Sequence, residues 1–202
     1  MRIDRIEPSR HKKGRILVFL EDGACLKITE QELLDFGLHQ DDDLEEEALT
    51  KLKDAAGVSN TRAAAADLIN KRPMSRRDLE RKLQEKGASP AEARYASEWL
   101  EAIGALNDAE YAAALARHYS AKGYGPARIK EKLYEKGIPK DLWEDALTDL
   151  PENASQIDAY ISKKLRGTLP DEKEKRRISN ALLRRGYGWG DIKEAWGRFE
   201  GA

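Results

Sequence analysis

One short phrase occurs three times in this chain at an almost constant spacing. It reads LERKLQEKG at Leu79–Gly87, IKEKLYEKG at Ile129–Gly137 and ISNALLRRG at Ile178–Gly186. Each copy places two apolar residues four positions apart, on one face of a helix. Each copy ends in a glycine, where a left-handed helix cap is expected. The phrase therefore predicts one helix that is rebuilt three times in a repeat architecture.

Helical patterns flank every copy, so the predicted unit contains three helices. The helices before the copies are predicted at Arg62–Lys71, Asp108–Ala121 and Asn153–Arg166. The helices after the copies are predicted at Ala91–Ile103, Lys140–Leu147 and Gly190–Phe199, and all four tryptophans fall in or beside them. We predict three such repeats, at residues 57–104, 105–150 and 151–202.

The first 56 residues have a different character. RIDRIE alternates in polarity, RILVFL is rich in β-forming residues, and Asp22-Gly23 is typical of a hairpin turn before ACLKI. Thr29 and Glu32 fit a capping box that opens a short helix. An acidic run at 41–47 leads into an apolar stripe and so predicts the N-terminus of a further helix. We predict a small β-rich N-terminal region with a following helix.

Composition argues against one spherical core. Charged residues make up 36% of the 202 residues, apolar residues 40% and aromatic residues 7%, which is more charged than an average globular domain. Thin cores between the helices of an elongated body fit these numbers. Residues 1–61 carry a net charge of −5 and residues 62–202 one of +4. Neither part is basic enough to indicate a nucleic-acid-binding protein from charge alone.

The sequence offers no arrangement typical of catalysis or metal binding. His11, His39 and His118 lack ligand spacing, no phosphate-binding glycine loop occurs, and we expect no cofactor. Cys25, the single cysteine, lies in a predicted strand, where we expect a buried or half-buried structural role. The longest apolar run, Ile16–Leu20, is too short for a membrane span, and the N-terminus does not resemble a signal peptide. These features predict a cytoplasmic protein without membrane contact.

Several of the motifs resemble the RecX family, bacterial modulators of the RecA recombinase. The resemblance rests on RPMSRRDLERKLQEKG at Arg72–Gly87, on LND at Leu106–Asp108 before Tyr111, and on KGYG at Lys122–Gly125. The 50-residue spacing adds to it. The third copy departs from the pattern, with Ala181 and Leu183 where the earlier copies carry charge.

The resemblance implies both a fold and a function. Family members are non-enzymatic proteins whose tandem three-helix repeats form an elongated, curved body. They bind along the groove of the RecA–DNA filament and suppress its ATPase, strand-exchange and coprotease activities in DNA repair and the SOS response. By resemblance we expect a monomer that binds the RecA filament on DNA and takes no small-molecule substrate.

Basic residues on the repeated helix are the predicted contacts with that partner. Arg77 and Arg81 fall opposite the Leu79/Leu83 face and are not explained by stabilisation of a helix C-terminus. Comparable basic clusters occur in the other two copies. The predicted partner-binding residues are Arg76, Arg77, Arg81, Lys82, Arg128, Lys130, Lys132, Lys173, Lys175, Arg176, Arg177 and Arg184.

Two rival functions stay open at this point. The first is a protein that binds DNA directly through the basic helices of its three-helix units, which resemble helix-turn-helix domains. The second is an enzyme, which an assay of ATP hydrolysis by the protein alone would detect.

Overall fold

The computed structural model describes residues 1–166 and 170–200. This part of the chain is mainly helical and carries one small N-terminal sheet, which confirms the predicted fold class. Residues 167–169 and 201–202, which belong to the predicted third repeat, lie outside the described residues. None of the helices in the described part combines the length and the apolar character that crossing a bilayer requires.

The N-terminal strands form an antiparallel meander. The strands are β1 (Ile3–Pro8), β2 (Arg15–Leu20) and β3 (Cys25–Thr29), and β2 lies between the other two. Gly23, with φ of 84°, forms the turn before β3, as the Asp-Gly motif predicts. The capping box of Thr29 and Glu32 is present and opens the short helix α1 (Glu30–Asp35).

The next helix, α2 (Glu46–Lys71), covers one face of this sheet. Val18 and Ile28 from the sheet and Leu52 from α2 have no exposed surface and belong to one apolar cluster. The domain boundary predicted at residue 56 falls inside α2, so the helix that closes the N-terminal core continues into the first repeat.

Gly57 lies in the middle of α2, where the sequence suggests an interruption between two helices. The helix instead continues, because this glycine is where α4 (Pro90–Ala102) approaches it. A Cβ on Gly57 would collide with the carboxylate of Glu92, which closes the capping box of α4 with Ser89. Glycine at this position lets the two helices pack closely. It also lowers the stability of the helix, because glycine loses more conformational freedom on folding than other residues.

The expected burial of Cys25 is wrong, because this residue is exposed. It begins β3, an edge strand whose side chains alternate between two faces. Ile28 is buried on the side of the core, whereas Cys25 and Lys27 lie on the other side.

The flanking helices of the repeats lie where they are predicted, with bounds that differ by at most three residues, except that the helix predicted at Arg62–Lys71 is the C-terminal part of the longer α2. The helices are α3 (Arg76–Glu85), α4, α5 (Asp108–Ala121), α6 (Pro126–Glu135), α7 (Trp143–Thr148), α8 (Asn153–Leu165), α9 (Glu172–Arg184) and α10 (Trp189–Glu200), with a 3-10 turn at Lys140–Leu142 before α7. The repeated apolar residues of α3, α6 and α9 are all buried. The closing glycines Gly87, Gly137 and Gly186 have φ of 96°, 75° and 90°, as a left-handed cap requires.

Contacts within the chain define two compact units. One comprises Met1–Pro73 and Asp78–Leu106, and therefore holds the sheet, α1, α2, α4 and most of α3. The other takes in Met74–Arg77 and the chain from Asn107 onward, with α5 to α10. Each unit has a core of its own: the sheet cluster lies in the first, and the clusters around Leu133 and around Leu182 lie in the second.

Candidate partner-binding surfaces

The repeated helix of the first copy, α3, carries its apolar and its basic residues on opposite sides. Leu79 and Leu83 are 0% and 1% exposed, whereas Arg77 and Arg81 are exposed. The predicted orientation of the two arginines is therefore correct. Arg76 and Lys82 are half-buried.

The two exposed arginines of α3 differ in their surroundings. Arg81 forms ion pairs with Asp78 and with Glu85 on its own helix. The hydrogen bond that Arg81 donates to Asp78 is the main cause of a raised pKa for this guanidinium, and the charge of Glu85 adds to it. Arg77 has no carboxylate within ion-pair distance among the described residues. Of the two, Arg77 is the one whose charge is available to a partner.

The predicted cluster on α6 is neutralised within the protein. Arg128 pairs with Glu131 and Lys132 with Glu135 on the same helix. Lys130 reaches Glu144 of α7, with an Nζ–Oε1 distance of 2.6 Å. The hydrogen bond from Lys132 lowers the pKa of Glu135, as expected of a carboxylate held next to an ammonium group. A partner would have to displace these acids to reach the cations.

The cluster on and beside α9 keeps more of its charge. Lys175 is paired with Glu172 and Glu200. The other four predicted cations of this copy are exposed and have no carboxylate within 4 Å among the described residues; they are Lys173, Arg176, Arg177 and Arg184. This helix therefore presents the largest uncompensated positive charge of the three predicted clusters.

The KGYG motif forms a joint between the second and third repeats. Gly125 is buried, and its N–H donates to the carbonyl of Arg185 at 2.8 Å. The N–H of Ala127 donates to the carbonyl of Gly186 at 3.2 Å. The Arg185 guanidinium returns to the motif, with Nη1 3.1 Å from the carbonyl oxygen of Gly123. From sequence, a cation just before a closing glycine is explained by the negative end of the helix dipole, but Arg185 also makes this tertiary contact.

The RPMS and LND motifs form a second joint, inside the unit that contains α5 and α6. The Ser75 hydroxyl donates to the carbonyl of Lys136 at 2.6 Å, one residue before the closing glycine of α6. The Arg76 N–H donates to the Asp108 carboxylate at 2.8 Å. Asn107 caps α5 by accepting from the N–H groups of Ala109 and Glu110. These residues of the family-like motifs therefore connect the start of α3 to the start of α5 and to the end of α6 within this unit.

Sequence reasoning missed a further group of basic residues. They line an open cleft in the second unit, and they are Arg117, Lys122, Lys163, Lys164 and Arg185. They come from two helices, α5 and α8, from the loop after α5 and from the residue that follows α9, so no run of charge in the sequence brings them together. The glycines of KGYG were the available signal, because a close backbone joint places its flanking residues at a boundary between repeats.

No group of three or more His, Cys, Asp or Glu side chains suited to a metal ion occurs in residues 1–166 and 170–200. Every buried side-chain nitrogen or oxygen in those ranges has a hydrogen-bond partner. Among the described residues, exposed charged side chains are therefore the main candidates for contact with a partner.

Models of known protein families match two segments of this chain. Residues 107–147 match the family model of the RecX second three-helix domain, and residues 154–196 match that of the RecX third three-helix domain. The regulatory protein RecX of Pseudomonas syringae pv. tomato is 34% identical over 128 residues, which cover 62% of this chain and 83% of that protein. The regulatory protein RecX of Clostridium botulinum strain Eklund 17B is 27% identical over 199 residues, covering 96% and 93%.

Solved structures share the fold. A crystal structure of regulatory protein RecX superposes with a TM-score of 0.74 at 21% identity and covers 97% of this chain and 98% of that one. The crystal structure of RecX from Lactobacillus salivarius gives a TM-score of 0.68 at 21% identity, covering 73% and 99%. The repeats, their matching family models and the 34% identical relative lead to one conclusion: this chain belongs to the RecX family of regulatory proteins.

Proposed function

We propose that this protein binds the RecA filament on DNA and modulates the recombinase, ATPase and coprotease activities of RecA, mostly by inhibiting them. Membership of a family of regulatory proteins supports a role in regulation. The choice of RecA follows from the family resemblance of the motifs. The proposal includes a place in DNA repair and the SOS response, a cytoplasmic location, a monomeric state and no catalytic activity of its own.

One observation supports a charged contact surface on the third repeat. Lys173, Arg176, Arg177 and Arg184 are exposed and have no carboxylate partner among the described residues. Internal ion pairs occupy the equivalent helix α6. An acidic groove or a phosphate backbone would attract the free cations of α9, because complementary charge steers association and fixes the orientation of a complex.

The test is the DNA-dependent ATPase of RecA, titrated with the wild-type protein and with the double variant Arg176→Glu/Arg177→Glu. We expect the variant to need at least about tenfold more protein for the same inhibition, because like charges that face each other across an interface cost several kcal/mol. Wild-type inhibition should weaken with salt, since exposed charges are screened over about 8 Å at physiological ionic strength.

A control variant with the same change in charge is available in the same unit. Lys140 and Lys193 are exposed, lie outside the predicted clusters, and have no carboxylate partner in the described ranges. Lys140→Glu/Lys193→Glu should inhibit RecA as the wild type does. Equal inhibition by the Arg176/Arg177 variant would remove α9 from the interface and leave Arg77 of α3 as the next residue to test. Absence of any effect of the wild-type protein on RecA would contradict the proposed function itself.

A further inference from the structure

We propose that the basic cleft of the second unit binds the phosphates of a single-stranded nucleic acid. The cleft lies beside the KGYG joint, and it is lined by residues of α5 and α8, of the loops that follow α5 and α7, and by Arg185 at the end of α9. Its volume is about 810 Å³, within the range of about 300–1,000 Å³ that ligand-binding clefts usually have. None of the predicted partner-binding residues lines this cleft, and the inference does not depend on RecA.

Charge is the first argument. Five cations and one carboxylate, that of Asp149, line the cleft, which leaves a surplus of four positive charges in a chain whose net charge is −1. Four of the five cations, Arg117, Lys122, Lys163 and Lys164, are exposed and have no carboxylate within ion-pair distance in the described part of the chain. A concave surface of one sign strengthens the local potential, so this surplus favours an anionic ligand.

The floor and one wall of the cleft are already held in place. The Gln156 amide donates to the Ser120 hydroxyl at 2.8 Å and accepts from the Tyr187 hydroxyl at 2.7 Å. The Arg185 guanidinium is fixed by carbonyl oxygens of the KGYG loop and lies 4.8 Å from the centre of the Tyr160 ring. A ligand therefore meets a prepared surface and loses less free energy to the ordering of side chains.

An aromatic ring in the lining of the cleft favours a nucleic-acid strand over an acidic peptide. This ring is that of Tyr160, and the Lys164 ammonium lies 5.6 Å from its centre. Tyr119 does not line the cleft, but its ring centre lies 5.8 Å from the Lys122 ammonium. Positive charge combined with half-buried aromatic rings is how proteins bind single strands, since the cations follow the phosphates and the rings offer stacking surfaces to the bases. A carboxylate-rich peptide has no bases to use such rings.

The experiment measures binding of a fluorescently labelled oligothymidine to the protein alone, over a range of salt concentrations. For Lys163→Glu/Lys164→Glu we expect affinity to fall on the order of tenfold or more at low salt. The slope of log K against log salt should become shallower by about 1.4, because each phosphate contact on a single strand contributes about 0.7. Lys140→Glu/Lys193→Glu carries the same change in charge outside the cleft and should keep the wild-type slope.

Further arms separate the possible ligands. Unlabelled oligothymidine should displace the probe at lower charge-equivalent concentration than polyglutamate or inorganic pyrophosphate. Displacement by polyglutamate with equal efficiency would identify a site for acidic peptides, and tight displacement by pyrophosphate a site for small anions; either result overturns the proposal. A wild-type protein that does not bind oligothymidine, or equal losses in both double variants, would overturn it as well.

Folding is checked by circular dichroism. If Lys163→Glu/Lys164→Glu does not fold, Lys163→Gln/Lys164→Gln removes the same two charges without reversing them and should show the same change in slope. An unchanged slope of log K against log salt in a folded variant of either kind would show that the oligothymidine binds outside the cleft. The RecA titration and the oligothymidine titration use different partners, so one proposal can fail while the other holds.

Discussion

A Cβ atom on Gly125 would lie 2.5 Å from the carbonyl oxygen of Gly186, so the two backbones meet with no room for a side chain between them. The N-terminus of α6 donates two hydrogen bonds at this point to the carbonyls that end α9. Each helix end would otherwise expose unsatisfied groups, and each satisfies the groups of the other. The positive end of one helix dipole also faces the negative end of the other, which is a favourable arrangement.

Substitution of Gly125 by alanine tests this joint. We expect Gly125→Ala to lower the free energy of unfolding by about 1–3 kcal/mol, the usual cost of inserting a methyl group into a packed site. The measurement is urea unfolding followed by circular dichroism. Gly197→Ala is the control, because that glycine lies within α10 with no described atom within 4 Å of a Cβ. It should be neutral or stabilising by up to about 1 kcal/mol, and a neutral Gly125→Ala would contradict the close approach.

Adjacent leucines on α9 allow a matched test of the repeat. Leu182 has no exposed surface, whereas Leu183 is 40% exposed. Leu182→Ala should cost about 2–5 kcal/mol of stability, as should Leu83→Ala and Leu133→Ala at the equivalent positions. Leu183→Ala should lower the free energy of unfolding by less than about 1 kcal/mol, because a large part of this side chain is already exposed to water in the folded protein. Chemical denaturation of the four variants measures the difference, and equal costs at Leu182 and Leu183 would refute the assigned helix face.

Tyr187 predicts a dependence of stability on alkaline pH. Burial raises the pKa of its hydroxyl, against the charge of Arg185, which lowers it. The unfolded chain, with a tyrosine pKa of about 10, therefore loses its proton first. The contribution of Tyr187 is complete below that pH and is lost as pH rises through the folded-state pKa. Tyr187→Phe should cost about 0.5–1.5 kcal/mol near neutral pH by loss of the hydrogen bond to Gln156.

The stability difference between the wild type and Tyr187→Phe should then stay constant below about pH 10 and shrink as the pH rises above that value. Thermal unfolding of both proteins on either side of this pH measures it. A difference that stays constant would mean that the hydroxyl titrates alike in the folded and unfolded chains.

Deletion of residues 1–56 should leave a helical protein that unfolds cooperatively. The buried core of the sheet cluster, from Ile3 to Ala56, is removed as a whole. Some contacts are cut: Arg15 donates to the hydroxyl and to the carbonyl of Ser59, at 2.9 and 2.8 Å. We therefore expect lower stability together with retained helicity, measured by circular dichroism during heating. A disordered product would show that the sheet is required for the first repeat to fold.

Arg77 and Arg81 should respond differently to reversal of charge. Arg81→Glu places a third carboxylate beside Asp78 and Glu85, which now pair with the arginine, so it should lower the melting temperature. Arg77→Glu breaks no ion pair among the described residues and should leave the melting temperature nearly unchanged. Differential scanning calorimetry compares the two variants, and a larger effect at Arg77 would contradict the assigned pairs.

Local patterns predict the local structure of this chain well. The predicted bounds of α5 agree with the structure at both ends, because Asn107 caps it and Gly123 follows it. The Asp22-Gly23 turn and the left-handed glycines after α3, α6 and α9 are equally local. Each of these features depends on residues within about four positions of one another, so it can be predicted from the sequence alone.

Features that depend on distant residues were not predictable. Gly57 resembles a helix breaker until the carboxylate of Glu92 is placed beside it. Lys130 looks free on its own helix, although Glu144 pairs with it from another. The cations of the cleft come from positions 117 to 185, and only the packing of repeats brings them together. Burial and pairing across elements follow from tertiary contacts that no single helix pattern contains.

The two joints described for the second unit occupy equivalent positions one repeat apart, with a side-chain hydroxyl as donor in the first and a backbone N–H in the second. Ser75 meets the end of α6 at Lys136, and fifty residues later Gly125 meets the end of α9 at Arg185. Gly87 closes the first copy and has no described atom within 4 Å of a Cβ position. No described residue therefore packs against this position as Ser75 does against the end of α6. A further copy inserted ahead of the first would therefore meet open space at this helix end, where a serine or a glycine before its repeated helix could form the same kind of contact.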